Sequence, residues 1–301
     1  MESFKSYLSE QEYYNYLSHQ YETLFEQLIA PRGVQYPKFG HIVIMAGGAG
    51  SGKGYIQSKL LGIEGKTFDV DKLKQLAIKT SKKGFAHKLN KMVQDRFGVD
   101  LKDLDLKRSE DTAALHTMIG DVLGIPNKAQ QAFFASAITA NPERKPNIIF
   151  DVTLKNMKKL DTITSAASNM GYDKKNIHIV WVVNELEVAM KQNKSRDRVV
   201  RDDILLDTHL GASMTMRRII DHGKDLRHYM DGMIVFAFNK LKVDSKLVQS
   251  GKGGEYIEKG TAEFEYIKEP GKPPLPYDAI KKDVLDKIKS YVPNSPTWGL
   301  K

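Results

Sequence analysis

The chain has 301 residues, of which 41% are hydrophobic and 28% are charged. These proportions are those of a folded protein with one or two domains and exclude a disordered chain. It contains no cysteine, which excludes thiolate nucleophiles, cysteine-ligated zinc and disulfide bonds. Lysine and arginine outnumber aspartate and glutamate by 46 to 37, a net charge of +9, and this balance favours phosphate-bearing partners.

The first element expected along the chain is an amphipathic helix over residues 10–29, within an N-terminal arm that covers residues 1–39. The segment lacks the apolar stretch that is typical of a signal peptide, so we expect a cytoplasmic protein. No run of about 18 apolar residues follows, so we expect no membrane span. The helical face can pack on the main domain or serve as an interaction arm. Its apolar residues recur every three or four positions: Tyr14, Leu17, Tyr21, Leu24 and Leu28.

Five short apolar runs alternate with helix-like segments between residues 40 and 240. Continuous apolar runs are typical of strands buried on both faces of a parallel sheet, and their alternation with helices predicts an α/β fold. We therefore expect a core with a mainly parallel five-stranded sheet. Its strands are predicted at residues 41–46, 67–71, 147–151, 177–183 and 233–238.

Two segments lie outside this alternation. Residues 72–146 have an almost entirely helical pattern, which predicts an insertion on the substrate side of the sheet. Residues 241–301 predict a small C-terminal extension with a hairpin, a proline-rich linker and a final helix that Asp278 can cap. The hairpin is expected from Tyr256, Ile257, Phe264, Tyr266 and Ile267.

A glycine-rich loop directly after the first strand is the strongest functional signal. The G-x-x-x-x-G-K spacing of Gly47, Gly52 and Lys53 is typical of loops whose backbone N–H groups surround a β-phosphate while the lysine contacts the β- and γ-phosphates. Because a strand precedes the loop and a helix is expected after it, we predict an ATP site rather than a plain glycine-rich turn. The predicted ATP-binding residues are Gly47, Gly48, Ala49, Gly50, Ser51, Gly52, Lys53, Gly54, Tyr55 and Arg196.

Two aspartates, Asp69 and Asp71, lie at the carboxyl end of the second predicted strand. Strand periodicity puts both on one face, near the strand end at which open α/β sheets bind ligands. A carboxylate there can accept the proton of an attacking hydroxyl. One of the pair can instead cap the helix expected to begin at Lys72, and the sequence leaves open which aspartate has which role.

A third aspartate, Asp151, ends the strand at 147–151 and is predicted to hold Mg²⁺ directly or through water. Most phosphate loops also carry a serine or threonine that binds this ion, but Gly54 stands at that position. The carboxylate of Asp151 would therefore matter more than usual. The alternative is a helix-capping aspartate, with Thr153 as a local hydrogen-bonding partner.

Basic residues are concentrated in a lid region expected over residues 190–220. On a helix, Lys194, Arg198 and Arg201 would share one face, and arginines on a mobile lid can neutralise the charge of a transferring phosphoryl group. The alternative is a solvated helix whose cations pair with nearby acids, namely Asp197, Asp202 and Asp203. Weaker candidates for the lid role are Arg217 and Arg218.

Over residues 40–240, this order of motifs resembles P-loop kinases of the zeta-toxin and phage polynucleotide-kinase type. The resemblance rests on the G-x-G-K loop, the D-x-D after the second strand, the arginine-rich segment, and two further pairs, Asp151 with Thr153 and Gly171 with Tyr172. Zeta toxins more often carry Glu followed by Gly where this chain has Asp151. The start of the chain, with Leu8-Ser9-Glu10, resembles tailed-phage virion proteins that a prohead protease trims.

The resemblance implies a P-loop kinase that uses ATP and Mg²⁺. It implies that Lys53 contacts the β- and γ-phosphates and that Asp69 or Asp71 is the catalytic base. It also implies that Arg198 and Arg201 are lid arginines.

The phosphoryl acceptor is expected to be polyanionic. Residues 72–96 hold eight basic residues and one acid, Asp95, a surplus that suits the phosphates of a nucleic-acid end. A solvated helical face is the alternative. The basic residues are Lys72, Lys74, Lys79, Lys82, Lys83, Lys88, Lys91 and Arg96.

The leading interpretation is an ATP-dependent phosphotransferase that acts on a nucleic-acid or nucleotide hydroxyl. A small-molecule kinase with a nucleotide-sugar acceptor is the second, and a nucleotide-binding virion-associated protein is the third. Paired aspartates and a lid disfavour the third, since passive binding needs neither. A motor ATPase is disfavoured because no glutamate directly follows Asp151.

Overall fold

The computed structural model describes residues 39–61, 63–84, 87–124, 128–132, 144–239, 245–249, 255–259, 263–268 and 270–280. The expected helix over residues 10–29, residues 133–143 of the insertion, and the final helix beyond Ile280 lie outside the described residues. None of the described helices is both long and apolar enough to cross a bilayer.

A parallel sheet of five strands confirms the predicted α/β fold class. The strands lie in the order β2-β3-β1-β4-β5, with bounds β1 Ile42–Ala46, β2 Lys66–Asp69, β3 Ile148–Asp151, β4 Ile177–Asn184 and β5 Ile234–Asn239. Every residue of β1 and β4 is buried. Burial on both faces explains why these strands are unbroken apolar runs rather than alternating patterns.

The C-terminal extension pairs differently from the expected hairpin. Strand β6 (Ser245–Gln249) pairs antiparallel with β7 (Glu255–Lys259), whereas β8 (Glu263–Lys268) pairs antiparallel with β5 and becomes the sixth strand of the main sheet. The predicted hairpin at residues 256–267 is therefore split between two sheets. The backbone groups at the edge of β5 need partners, and β8 supplies them.

The helices connect the strands and build the insertion. Their bounds are α1 Lys53–Tyr55, α2 Val70–Lys82, α3 His87–Phe97, α4 Ser109–Leu115, α5 Met157–Asn169, α6 Leu186–Lys194, α7 Asp202–His222 and α8 Tyr277–Ile280. Two π-helical segments, Ile56–Leu60 and His116–Val122, directly follow α1 and α4.

The sheet separates two apolar cores because neighbouring residues of a strand point to opposite faces. Ile44 of β1 lies in one core with residues of α5 and α7, and Val43 lies in the other with Ile56 and Ile63. Each fully buried aliphatic side chain contributes about 1.5–3 kcal/mol relative to an exposed one. The insertion has a core of its own, formed by residues of α2, α3, α4 and the segments between them.

The order of the strands brings three strand ends together. Strand β1 lies between β3 and β4, and β2 lies next to β3. In this register Asp151 pairs with Met45 on one side and with Asp69 on the other. The loop after β1 and the acidic ends of β2 and β3 therefore share one edge of the sheet, the edge at which α/β sheets bind ligands.

Candidate active site

The glycine-rich loop leaves β1 at Ala46 and turns back over the end of the strand. Gly47 and Gly50 have φ angles of 140° and 77°, in the region that favours glycine. A Cβ atom would lie 2.5 Å from the carbonyl oxygen of Val182 at Gly47 and 2.5 Å from that of Ala189 at Gly50. A side chain at either position would therefore be disfavoured twice, by the φ angle and by a clash with a neighbouring carbonyl oxygen.

Lys53 follows the loop as the first residue of α1. Its Nζ donates to the carbonyl oxygens of Gly47 at 2.9 Å and Gly48 at 3.2 Å, and it lies 3.9 Å from Oδ1 of Asp151. The ammonium group thus lies over the loop, at the position from which it can contact phosphate oxygens. Tyr55, two residues on, packs partly buried against the core that contains Val43.

Asp69 is the N-cap of α2. Its Oδ1 accepts from the backbone N–H of Asp71 at 2.8 Å and of Lys72 at 3.2 Å, as expected of a capping aspartate. Strand β2 ends at Asp69 and α2 begins at Val70. The expected shared strand face of the two aspartates and the expected helix start at Lys72 are therefore wrong, because the cap shortens the strand.

Asp71 lies in the first turn of α2 and is held by two cations. One of its oxygens contacts the guanidinium of Arg198, and the other lies 3.4 Å from Nζ of Lys74. Desolvation raises the pKa of this carboxyl, but Arg198, Lys74 and Lys53 lower it by more, so that the pKa lies below its ordinary value. Asp71 is therefore ionised and directed toward the arginine-rich segment.

Asp151 lies beside Lys53 at the end of β3. Burial raises its pKa, Lys53 lowers it, and the charges of Asp69 and Asp71 raise it, with a net pKa above the ordinary value. Two residues on, the carbonyl oxygen of Thr153 accepts from the N–H of Gly47 at 3.3 Å. The segment after β3 therefore also fixes the first residue of the loop.

The arginine-rich segment, residues 195–201, is not helical, contrary to the expectation that three cations would share a helix face. Helix α6 ends at Lys194 and α7 begins at Asp202. Asn193 holds both backbone groups of Val200, accepting from its N–H at 3.0 Å and donating to its carbonyl at 2.5 Å. The side-chain amide thereby satisfies backbone groups that a helix would have paired internally.

The predicted lid cations consequently point in different directions. Arg198 contacts Asp71, whereas Arg201 pairs with Asp203 at 2.7 Å. Arg196 is exposed, and desolvation together with Arg198 lowers the pKa of its guanidinium by more than Asp71 and Asp151 raise it. Of the weaker candidates, Arg217 pairs with Asp221 at 3.7 Å and Arg218 is exposed.

Helix α7 contacts the glycine-rich loop through two residues that the sequence did not single out. Thr208 Oγ1 accepts from the N–H of Ala49 at 3.0 Å, and His209 Nε2 lies 2.7 Å from the carbonyl oxygen of Ala49. Burial lowers the pKa of His209, so the neutral ring donates through Nε2. The signal in the sequence was weak, since a polar pair on an amphipathic helix is ordinary.

Two other residues behind Asp71 were also missed. Lys74 is 4% exposed, and its Nζ lies 2.8 Å from Nδ1 of His116. Lys74 was counted only as part of the basic stretch, although its position three residues after Asp71 puts both on one helix face. Nothing local in the sequence connects His116 to the site.

No protein-family model matches the chain, and no curated protein sequence matches it. Among solved structures, it is similar to a chain of the AvrRxo1-ORF1:AvrRxo1-ORF2 complex with sulphate ions, at 12% identity and a TM-score of 0.43, over 81% of this chain and 63% of that one. The complex with ATP matches at 12% and 0.41, over 73% and 57%. The chain thus spans less than two thirds of those two chains. A structure of the PezAT chromosomal toxin–antitoxin system of Streptococcus pneumoniae matches at 12% and 0.35, over 76% and 77%.

Proposed function

We propose that the protein is an ATP-dependent phosphotransferase that moves the γ-phosphate to a hydroxyl of a nucleic acid or nucleotide. The observation that supports this most is the meeting of three groups at one sheet edge: Lys53 on the loop carbonyls, Asp151 at 3.9 Å from it, and Asp71 in contact with Arg198. Passive nucleotide binding needs the loop but neither an oriented carboxylate nor an arginine beside it.

In this proposal each group has one task. Lys53 stabilises charge on the β- and γ-phosphate oxygens, and Arg198 and Arg196 neutralise the phosphoryl group as it is transferred. Asp71 accepts the proton of the acceptor hydroxyl. The acceptor oxygen forms the new bond to phosphorus as the bond to the β-phosphate oxygen breaks, and ADP leaves.

Mg²⁺ fits the carboxylate of Asp151, because this ion is commonly held by one or two carboxylates together with substrate phosphates and water. The described residues contain no group of three or more potential ligands, so nucleotide oxygens would complete the coordination. Bound there, the ion would neutralise phosphate charge. In most phosphate loops a serine or threonine hydroxyl, at the place that Gly54 occupies here, helps to hold this ion.

The direct test is incubation with γ-labelled ATP and a panel of acceptors: 5′-hydroxyl DNA and RNA, modified-base DNA, nucleosides and nucleotide sugars. We expect label transfer by the wild type and its loss in Lys53→Ala, because the variant lacks the charge at the β- and γ-phosphates. The exposed Lys158→Ala is the matched control. Normal turnover by Lys53→Ala would contradict the proposal.

A polyanionic acceptor is supported by the surface beside Asp71. Seven of the eight basic residues between 72 and 96 are exposed on α2, α3 and the turn between them, and the eighth, Lys74, is buried. For a nucleic acid we expect log affinity to fall linearly with log salt, by about 0.9 per phosphate contact on duplex and about 0.7 on single strands. Charge reversal at Lys82, Lys83 and Lys88 should flatten that slope and leave ATP affinity unchanged.

A flat salt response with every nucleic acid would favour the nucleotide-sugar alternative, because a small acceptor carries few phosphates.

Cytoplasmic location, virion association and the domain boundaries remain predictions from the sequence.

A further inference from the structure

Both oxygens of the Asp71 carboxylate are in contact with cations. Oδ2 contacts the guanidinium of Arg198, and Oδ1 lies 3.4 Å from Nζ of Lys74. A base that takes a proton from an acceptor hydroxyl needs one oxygen within hydrogen-bonding distance of it. A carboxylate paired with two cations is a weaker base than one paired with a single cation, so release of one of them from Asp71 would favour the transfer that we propose.

The two cations are held in different ways. Lys74 lies on the same helix as Asp71, is 4% exposed, and is fixed from the other side by His116, whose Nδ1 lies 2.8 Å from its Nζ. An ammonium buried in this way is costly to separate from its carboxylate. Its position is therefore set by the helix and by His116 together.

Arg198, by contrast, lies in the segment between α6 and α7 that has neither helical nor strand structure. Its guanidinium can exchange one carboxylate oxygen for the several oxygens of a triphosphate, which form stronger charge-assisted contacts. The loop that would hold this triphosphate lies at the same edge of the sheet as Asp71, since β3 pairs on one side with β1, which leads into the loop, and on the other with β2, which leads into α2. Arg198 is thus the cation that can leave.

We propose that Lys74, fixed by His116, is a positioning residue that holds Asp71 through Oδ1 when Arg198 moves to the nucleotide and frees Oδ2 for the acceptor hydroxyl. This inference rests on the proposed function. The inference adds an order of events to the proposed function, because the nucleotide binds and frees the base before the acceptor reacts.

The structural test is a crystal structure of the full chain with Mg²⁺ and AMP-PNP. We expect Arg198 to contact phosphate oxygens and the contact between Lys74 and Asp71 to remain. A nucleotide-bound structure in which Arg198 stays on Asp71, or in which Lys74 leaves it, would overturn the inference. The expected Arg198 contacts with bound AMP-PNP, together with no transfer of label from γ-labelled ATP to any acceptor, would overturn the proposed function alone.

The kinetic test uses Lys74→Met, which keeps an unbranched side chain one atom shorter than that of lysine and removes the charge. We expect kcat to fall by about 10- to 100-fold, the KM for ATP to stay within roughly twofold, and Lys74→Arg to restore most of kcat. His116→Leu should also lower kcat. Circular dichroism and thermal unfolding establish that each variant is folded, and Lys158→Met is the control.

A double-mutant cycle separates positioning from a general structural role. If Lys74 acts through Asp71, Lys74→Met should cost no further activity in an Asp71→Asn background. An equal fold-loss in both backgrounds, or a loss of ATP affinity as large as the loss of kcat, would overturn the inference. An unchanged kcat in His116→Leu would show that His116 is not needed to fix Lys74.

Discussion

At the scale of single residues, the end of β2 separates two aspartates that stand two positions apart in the chain. Asp69 belongs to the strand end and uses its carboxylate to cap α2, whereas Asp71 lies in the first turn of the helix and contacts Arg198. The same residue type thus has a structural task in one position and an electrostatic one in the other.

This difference predicts distinct effects of substitution. Asp69→Ala should lower the free energy of unfolding by about 0.5–2 kcal/mol, and Asp69→Asn should largely retain it, because asparagine caps helices equally well. Asp71→Asn should lower kcat by about 10²- to 10⁴-fold and lower stability as well, because it leaves the buried Lys74 without its carboxylate. Urea unfolding and steady-state kinetics on the four proteins measure both effects. A loss of kcat confined to the Asp69 variants would show that the assignment is reversed.

Gly54 is the second residue-scale case, because the space around it is open. An added Cβ would have no neighbour within 4 Å, and the residue lies in α1, where serine is favoured over glycine by up to about 0.5 kcal/mol. Gly54→Ser should therefore fold normally and reach half-maximal activity at a lower Mg²⁺ concentration, since it restores the hydroxyl that most phosphate loops carry.

The matched control is Gly52→Ser, because Gly52 has a φ angle of 93° that disfavours any side chain. This variant should lose nucleotide affinity. A Mg²⁺ requirement in Gly54→Ser that equals or exceeds that of the wild type would contradict the prediction about position 54.

At the scale of secondary-structure elements, α7 supports the glycine-rich loop. It holds both backbone groups of Ala49, and the ring of His209 fills the space beside Gly48, where a Cβ atom would lie 2.2–2.5 Å from ring atoms. The loop glycine and the helix histidine are therefore complementary in shape. Segment 195–201 leads directly into this helix, so one element carries both the arginines and the loop support.

The complementarity predicts non-additive effects. Gly48→Ala should displace His209 and weaken ATP binding by about tenfold or more, because contacting residues couple by about 0.5–3 kcal/mol. His209→Ala should have a smaller effect, since Thr208 still holds Ala49. The double variant should bind ATP no more weakly than Gly48→Ala alone. Titration calorimetry measures all four affinities, and strictly additive losses would contradict a direct steric conflict.

At the scale of the whole molecule, the amino end of the sheet depends on two buried neutral histidines. The N–H of Met233 donates to Nδ1 of His178 at 3.0 Å, so His178 carries its proton on Nε2, which lies 3.0 Å from Nδ1 of His41. Burial lowers the pKa of His41 to about 4. Burial, the charge of His41 and that of Lys268 lower the pKa of His178 well below its ordinary value.

The direction of these shifts predicts how stability depends on pH. Both groups bind protons more readily in the unfolded chain, so their contribution is fully present above about pH 6.5 and is lost as pH falls toward the folded-state values. For His41, the shift from 6.5 to about 4 corresponds to about 3 kcal/mol. Urea unfolding between pH 7.5 and 5 should show this loss, and His178→Gln should reduce the slope.

His87→Gln is the control, because His87 is exposed on α3 and its removal should leave the slope unchanged. Constant stability of the wild type over this interval would falsify the assignment of neutral buried rings.

What the sequence by itself determined is what local patterns encode. The buried strands were predictable because each is a continuous apolar run, and a glycine-rich loop after the first strand because its glycines lie within eight adjacent residues, 47–54. The acidic ends of β2 and β3 were predictable because they follow those runs directly. Each of these signals lies within one element and does not depend on what packs against it.

Only the tertiary structure decided which side chains meet. Arg198 is 127 positions from Asp71, and His209 is 160 positions from Ala49, so no local pattern connects either pair. The shape of segment 195–201 followed from Asn193 holding Val200, and the partner of β8 followed from the edge of β5. Such contacts depend on how separate elements pack, because a cation or a backbone group is satisfied by whichever partner the fold brings within reach.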